Sequence, residues 1–246
     1  MQLELKEFLT RLLPGELLEA VGKKVFRRNK KPREAKVFAC YVYLSQNSSF
    51  RRSRDLLEDL GVRVAHSAVW YWFHGFSESA KQNAFAKRKR RVIIVDETKI
   101  RTKKGWIYVF AAIDPENREI VNLLVTRHRE SIDALGFLTR CLRYCKGKPI
   151  IVTDGGPWYR WPVRRLGLRH EVISGDIRNY IERWFETLKD RLRMFDCYFP
   201  TEGTEAIEDF AAIFCYWYNH CRPHMTLGEP PSGGKGGLKT WLEILI

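Results

Sequence analysis

The sequence predicts an α/β protein in which a small basic helical head precedes a larger domain with a mixed β-sheet. Up to about residue 86 the apolar residues recur at helical spacing. From Val92 onward, short apolar runs typical of strands alternate with amphipathic segments. The charge divides in the same way, because residues 1–91 hold 20 Lys and Arg against 9 Asp and Glu, a net charge of +11. Residues 92–246 hold 23 against 20, a net charge of only +3, so we expect the head to bind a polyanion.

The head is predicted to consist of helices separated by turn residues. The expected helices cover residues 3–13, 32–45, 52–60 and 67–73. Gly61 ends the third of them and Ser67 is the expected N-cap of the fourth, which gives a helix-turn-helix at about residues 50–75. Its second helix would lie in the major groove of DNA, with Ser67 and Tyr71 among the contacts. An ordinary helical hairpin has the same pattern, and the surrounding basic charge favours the DNA-binding interpretation.

A run of five cations, Lys87 to Arg91, follows the head and is predicted to be a basic linker. Such a run is either a solvated connection or a segment that follows a phosphate backbone, with Arg88 and Arg90 as DNA contacts. The predicted domains are therefore a helical head (1–86), the linker (87–91), a sheet-containing domain (92–229) and a C-terminal loop with a short tail (230–246).

The second domain is predicted to have the element order βββαβαβα, followed by one more helix. Its strands are expected at residues 92–95, 106–113, 119–126, 149–153 and 170–173, and its helices at 131–144, 158–166, 177–193 and 205–218. The run Val92–Val95 is continuously apolar, as in a central strand that is covered on both faces.

Three acidic residues occupy positions where a sheet and a helix could bring them together. Asp96 follows the apolar run Val92–Val95, Asp154 follows Ile150–Thr153, and Glu182 lies early in a helix after the last strand. Clustered carboxylates repel one another unless a cation holds them, and oxygen ligands suit Mg²⁺. Two such ions could activate an attacking oxygen and stabilise a leaving oxygen in phosphoryl transfer. Acids at strand ends also cap turns in proteins without such a site, so the pattern alone leaves both interpretations open.

The helix that carries Glu182 has an apolar stripe, namely Ile181, Phe185, Leu188 and Leu192. Glu182, Glu186 and Lys189 follow the same spacing on an adjoining flank. This spacing does not choose between the two glutamates, and a solvated Glu–Lys ladder fits it as well.

Five segments in order along the chain resemble the motifs of one family. Arg178–Lys189 resembles the signature around the last acid of DDE transposases and retroviral integrases, and Tyr218–Gly228 the closing motif of insertion-sequence transposases. Asp96–Thr98 and Thr153–Tyr159 resemble the first and second acid motifs. Arg52–Trp72 is similar to the helix-turn-helix of the short, cointegrate-forming IS-six type.

The resemblance implies an RNase H-like catalytic domain that cleaves and joins DNA strands. It implies Asp96, Asp154 and Glu182 as catalytic residues and ligands of two Mg²⁺ ions, with Mn²⁺ as a substitute, and Lys189 and Arg183 as DNA contacts. The implied partners are double-stranded DNA, as terminal inverted repeats and as target, and further copies of the chain in a homodimer or larger assembly. Only 27 residues separate Asp154 from Glu182, fewer than the family pattern. A catalytically impaired relative that acts as a sequence-specific DNA-binding protein therefore stays an alternative, as does an RNase H-type nuclease without strand transfer.

The remaining features of the sequence concern the cellular location of the protein and the state of its cysteines. With no apolar stretch long enough for a membrane helix, we expect a cytoplasmic, nucleoid-associated protein. The six cysteines form no CxxC pair and are expected to be reduced and buried. His220, Cys221 and His224 lie close in sequence, but their spacing fits no zinc motif.

Overall fold

The computed structural model describes residues 31, 33–102, 104–173, 179–192 and 204–243. The chain divides into two compact units, Met1–Ala84 together with Ile213–Ile246, and Phe85–Ala212. The predicted helix at 3–13, nearly all of the basic stretch before residue 32 and Cys197 lie outside the described residues. No helix within the described ranges is both long and apolar enough to cross a membrane.

The first unit begins with four described helices. They are α1 (Arg33–Ser45), α2 (Phe50–Asp59), α3 (His66–Gly75) and α4 (Ser77–Asn83). The Ser49 side chain caps α2 by accepting a hydrogen bond from the Arg52 backbone N–H at 3.1 Å. The first three helices pack on one another around Tyr43, Phe50 and Phe73, whose ring centroids lie 4.1 to 5.8 Å apart. This arrangement is the helix–turn–helix order that the sequence predicts.

The C-terminal segment completes this helical unit. Helix α8 (Glu205–Tyr216) continues as a π-helical turn, Trp217–Cys221, and α9 (Gly237–Glu243) follows the glycine-rich loop. Trp241 of α9 is fully buried, and its ring lies 6.4 Å from Tyr41, 5.9 Å from Phe76 and 6.1 Å from Tyr216. The segment from Ile213 onward therefore packs with the head, which differs from the predicted division at residues 229 and 230.

The second unit contains the sheet. Its strands are β1 (Val92–Thr102), β2 (Gly105–Ile113), β3 (Ile120–Thr126), β4 (Ile150–Thr153) and β5 (His170–Val172), and its helices are α5 (Ser131–Arg143), α6 (Pro157–Arg165), α7 (Asn179–Leu192) and the start of α8. The strand order is β3-β2-β1-β4-β5. The first three strands pair antiparallel, and β4 and β5 add in parallel. The predicted mixed five-stranded sheet and the element order βββαβαβα are confirmed.

The two faces of the sheet are covered by different helices. Ile93, Val95 and Phe110 point into a core that they share with α5 and α6. Helix α7 packs across β1 and β2 and does not contribute to that core, so it covers the opposite face. Its predicted apolar stripe is buried, together with Trp184. Successive side chains of β1 therefore point alternately towards α5 and α6 on one face of the sheet and towards α7 on the other.

Candidate functional site

Asp96 lies inside β1, at the position where the strand loses one of its two neighbours. The last paired residues between β1 and β4 are Ile94 and Val152, whereas β1 stays paired with β2 as far as Thr102. The predicted placement of Asp96 at a strand end is thus wrong, because β1 continues for six residues beyond it. Asp96 is 8% exposed, and its Oδ1 accepts a hydrogen bond from the Glu97 backbone N–H at 2.9 Å.

Asp154 directly follows β4, as predicted, and is exposed. Its Oδ1 accepts a hydrogen bond from the Gly156 backbone N–H at 2.9 Å, which holds the turn after the strand. Gly155 adopts a φ of 88°, and a Cβ there would lie 2.9 Å from Val172 Cγ1. The left-handed φ favours glycine at this turn, because L side chains rarely adopt it.

The strand register places Asp96 and Asp154 side by side. Each lies two residues beyond the paired Ile94 and Val152 on adjacent parallel strands. Neighbouring strands run about 4.8 Å apart, and residues two apart point to the same face. Because Ile93 and Ile151 share the face of α5 and α6, both aspartates lie on the face that α7 covers.

Glu182 lies on the exposed flank of α7, as does Glu186. The first turn of α7 is positioned by Tyr180, whose ring centroid is 3.3 Å from the Arg118 guanidinium carbon in the β2–β3 turn. Among the described residues, no three His, Cys, Asp or Glu side chains form a group that could hold a metal ion. The strand register thus sets Asp96 and Asp154 at neighbouring positions and α7 carries Glu182, but the three acids do not form a metal-binding group among the described residues.

The residues considered as zinc ligands, His220, Cys221 and His224, can be examined in the same way. His220, Cys221 and His224 are all within the described residues, and they do not form a metal-binding group. Cys221 is buried, as are the four other described cysteines, namely Cys40, Cys141, Cys145 and Cys215. Burial raises the pKa values of the Cys40, Cys141 and Cys215 thiols well above the ordinary value, as expected for inert core thiols.

Glu97, next to Asp96, anchors the strand that carries this aspartate, and the sequence does not predict that role. It points away from Asp96, and its Oε2 accepts hydrogen bonds from the Tyr159 hydroxyl at 2.5 Å and from Trp158 Nε1 at 3.3 Å. Its Oε1 pairs with Arg129 Nη1 at 3.3 Å. Glu97 therefore ties β1, one residue after Asp96, to α6, which begins just after Asp154.

The charges of both aspartates act on the Glu97 carboxyl. Burial raises the pKa of the Glu97 carboxyl, and the Asp96 and Asp154 charges raise it further. The hydrogen bond from Tyr159 and the Arg129 charge oppose this shift. The alternation of side chains along a strand is the signal that would have placed Glu97 opposite Asp96.

The predicted DNA contacts on helices are exposed. Arg183 and Lys189 lie on exposed positions of α7, and Ser67 and Tyr71 on exposed positions of α3, where Tyr71 is 69% exposed. The N-cap of α3 is Ala65 rather than Ser67, since the helix begins at His66. Ser67 thus lies in the first turn of the helix with its side chain accessible.

The predicted linker is part of the second unit, and its two predicted DNA contacts, Arg88 and Arg90, differ in exposure. The Arg88 backbone N–H donates to the Tyr144 carbonyl at 3.1 Å, and Lys146 donates to the Arg88 carbonyl at 2.7 Å. The Arg88 side chain is 41% exposed and pairs with Glu119. Arg90 is buried with 3% exposure, so the prediction that it contacts DNA is wrong.

Comparison with known proteins identifies relatives of this site. A family model described as a DDE domain, of the IS240 type of transposase, matches residues 91–217. An uncharacterized protein of Methanocaldococcus jannaschii is 32% identical over 81% of this chain and 92% of its own length. The transposase for the insertion sequence-like element IS431mec of Staphylococcus aureus is 29% identical over 54% of this chain and 59% of its own.

A solved structure has a similar but distant shape. The catalytic core domain of HTLV-2 integrase in complex with magnesium is 15% identical, covers 60% of this chain and 97% of its own, and has a TM-score of 0.46. The matched span of the family model includes Asp96, Asp154 and Glu182. The resemblance stated from the sequence motifs is confirmed at the level of the family.

Proposed function

Since the chain belongs to the DDE domain family of insertion-sequence transposases, we propose that it binds the terminal inverted repeats of an insertion sequence and cleaves and transfers DNA strands. The observation that carries this proposal is the strand register, in which Asp96 and Asp154 each lie two residues beyond the last paired position of β1 and β4. Acting on chromosomal DNA, the protein would be associated with the nucleoid.

The donor set fits divalent cations. Asp96 and Asp154 place carboxylates on one sheet face, where their mutual repulsion is relieved by a bound cation. Carboxylate oxygens are the ligands that Mg²⁺ prefers, and Mn²⁺ accepts the same set. Asp96, Asp154 and Glu182 would hold the ions, two of them in the active complex. When bound, the ions would activate the attacking oxygen and stabilise the leaving oxygen of the phosphodiester.

The chain's other residues bind and orient the DNA in this proposal. Arg183 and Lys189 are exposed on the helix that carries Glu182, where their charges would hold phosphates beside the acids. Ser67 and Tyr71 are exposed on the second helix of the helix-turn-helix, the helix that enters the major groove in proteins of this kind. A transposase must hold two element ends at once, so we propose that the active form is a dimer or larger.

The proposal is tested by separating cleavage from binding. Asp96→Asn removes a ligand charge with little change in shape, and we expect it to abolish Mg²⁺-dependent cleavage of a labelled terminal-repeat duplex. Binding of the same duplex, measured by fluorescence anisotropy, should stay close to that of the unmodified protein. Undiminished cleavage by this variant would overturn the assignment.

Matched variants of the two glutamates on α7 test which of them is the third metal ligand. Glu182 and Glu186 are both exposed and lie one turn apart on the same flank. We expect Glu182→Gln to abolish cleavage and Glu186→Gln to retain it. The opposite result would move the third ligand to Glu186, and loss of cleavage in neither variant would remove α7 from the site.

A second candidate is a catalytically impaired relative that acts as a sequence-specific DNA-binding protein. The observation that favours it is the separation of Asp154 and Glu182 by only 27 residues. The unmodified protein would then bind terminal repeats but leave them whole with Mg²⁺ or Mn²⁺. An RNase H-type nuclease would instead cut the DNA and never join the freed 3′-hydroxyl to a target.

A further inference from the structure

The hairpin of β1 and β2 extends past the end of β4 and shows one exposed face. Its buried face is formed by Thr98, Ile100, Thr102, Ile107 and Val109, all at most 8% exposed. The opposite face displays Lys99 and Arg101 from β1, and Trp106 and Tyr108 from β2. These four residues are called the hairpin patch below. Because one face of the hairpin is buried, the other is held open to solvent.

The hairpin patch combines cations with an exposed aromatic ring. Trp106 is 46% exposed. Lys99 Nζ lies 4.7 Å and the Arg101 guanidinium carbon 6.0 Å from its ring centroid. The two cations therefore share one aromatic support, which restricts their side chains before any ligand binds and lowers the entropic cost of binding.

The basic character continues from the hairpin patch towards the body of the sheet. Arg129, in the segment after β3, lies 5.4 Å from the Tyr108 ring and 4.0 Å from the Trp158 ring, and it pairs with Glu97. Lys99 and Arg101 are two residues apart on one strand face, about 6.5 Å along the strand. A row of cations held by aromatic rings supplies the fixed positive charge that favours contact with a phosphate backbone.

The hairpin patch and the three acids lie on opposite faces of the sheet. From Asp96 to Thr102 the strand continues past the carboxyl end of β4, where Asp154 begins the turn, and is paired only with β2. The acids lie on the α7 face of the sheet and the hairpin patch on the other. A DNA segment bound to the hairpin patch would thus differ from the segment whose phosphodiester lies at the acids.

We propose that the hairpin patch is a second, sequence-independent binding site for the backbone of double-stranded DNA. This inference rests on the proposed function for the identity of its ligand, since it assigns a further stretch of the same substrate. The site would hold DNA outside the scissile position and stabilise the complex through phosphate contacts rather than base contacts.

The test measures binding of a duplex without terminal-repeat sequence at about 50 mM and about 200 mM salt. The variant Lys99→Gln/Arg101→Gln is compared with Arg140→Gln/Arg143→Gln, which removes two exposed cations from α5. The slope of log Kd against log salt should fall by about 2 in the hairpin variant, because each phosphate contact contributes about 0.9. Its weakening relative to the unmodified protein should be about tenfold greater at the lower salt concentration.

The control variant should bind with the unmodified slope. A Trp106→Ala variant should weaken binding without removing a charge, whereas Trp106→Phe should retain most of it by supporting the same cations. Equal slopes for the hairpin and control variants would overturn the proposal, as would unmodified binding by Trp106→Ala.

The two proposals fail in different ways. If the unmodified protein binds duplex DNA but never cleaves it, the proposed catalysis fails and the hairpin patch stands on its binding data. If cleavage occurs and the hairpin variants bind as the unmodified protein does, the hairpin patch is wrong and the catalytic assignment stands. Circular dichroism melting of each variant separates loss of binding from loss of folding.

Discussion

Replacement of Arg90 by methionine should destabilise the sheet-containing unit while leaving direct DNA contacts unchanged. The Arg90 guanidinium donates to Asp114 Oδ2 and to Glu119 Oε2, both at 2.8 Å, and its side chain has no exposed surface. It also donates to the Ala86 carbonyl at 3.1 Å. Methionine fills a similar volume but leaves two buried carboxylates without this cation.

The expected cost follows from that burial. Removing one partner of a buried ion pair costs about 3–5 kcal/mol, because the remaining charge is left uncompensated. Arg88 lies 3.3 Å from Glu119 and offsets part of this loss, so we expect the lower half of that range. For a chain of this size, about 3 kcal/mol lowers the melting temperature by roughly 6–12 °C.

The assay is differential scanning calorimetry of the full chain, with Arg91→Met as the matched control. Arg91 is adjacent and exposed, so its replacement should change stability by no more than about 0.5 kcal/mol. An Arg90→Met variant that melts with the unmodified protein, yet binds DNA more weakly, would refute the structural role and restore the DNA contact predicted from the sequence.

Three further substitutions test other parts of the structure. Gly61→Ala places a side chain at a φ of 78° between α2 and α3 and should cost about 1–2 kcal/mol in thermal unfolding, with weaker terminal-repeat binding. Trp241→Ala should cost about 3–5 kcal/mol by emptying a fully buried site, whereas an unstructured tail would tolerate it. Tyr159→Phe removes the hydroxyl that donates to Glu97 and should cost about 1.5–3 kcal/mol, measured by denaturant unfolding.

The elements with a strong local period were predictable from the sequence. The sequence predicts the apolar stripe of α7 because residues three and four apart share a helix face, and Ile181 and Leu188 are buried as expected. The predicted β1 is too short, although Glu97 to Thr102 alternate between partly or fully exposed and buried positions. The apolar run before Asp96 dominated the prediction, and the weaker two-residue period after it marked the rest of the strand.

Features that depend on distant partners were not predictable from local pattern. Arg90 and Arg91 are indistinguishable in a run of five cations, and only Asp114 and Glu119, more than twenty residues away, distinguish them. Trp241 follows a glycine-rich stretch that is typical of a loop, and its burial depends on aromatic residues such as Tyr41. In both cases the residues that interact lie too far apart in the sequence for a local pattern to reveal the contact.

The three acids also differ in how the fold positions them. Asp96 and Asp154 are placed by backbone pairing, so their relative position follows from the register of two adjacent strands. Glu182 is placed by side chains, namely the apolar stripe of α7 and the contact of Tyr180 with Arg118. Packing contacts can shift without breaking backbone hydrogen bonds. A change of strand register, in contrast, requires the hydrogen bonds between the strands to break. The separation of the acids therefore depends mainly on α7, which is why the paired Glu182 and Glu186 variants decide more about this site than any change in the sheet.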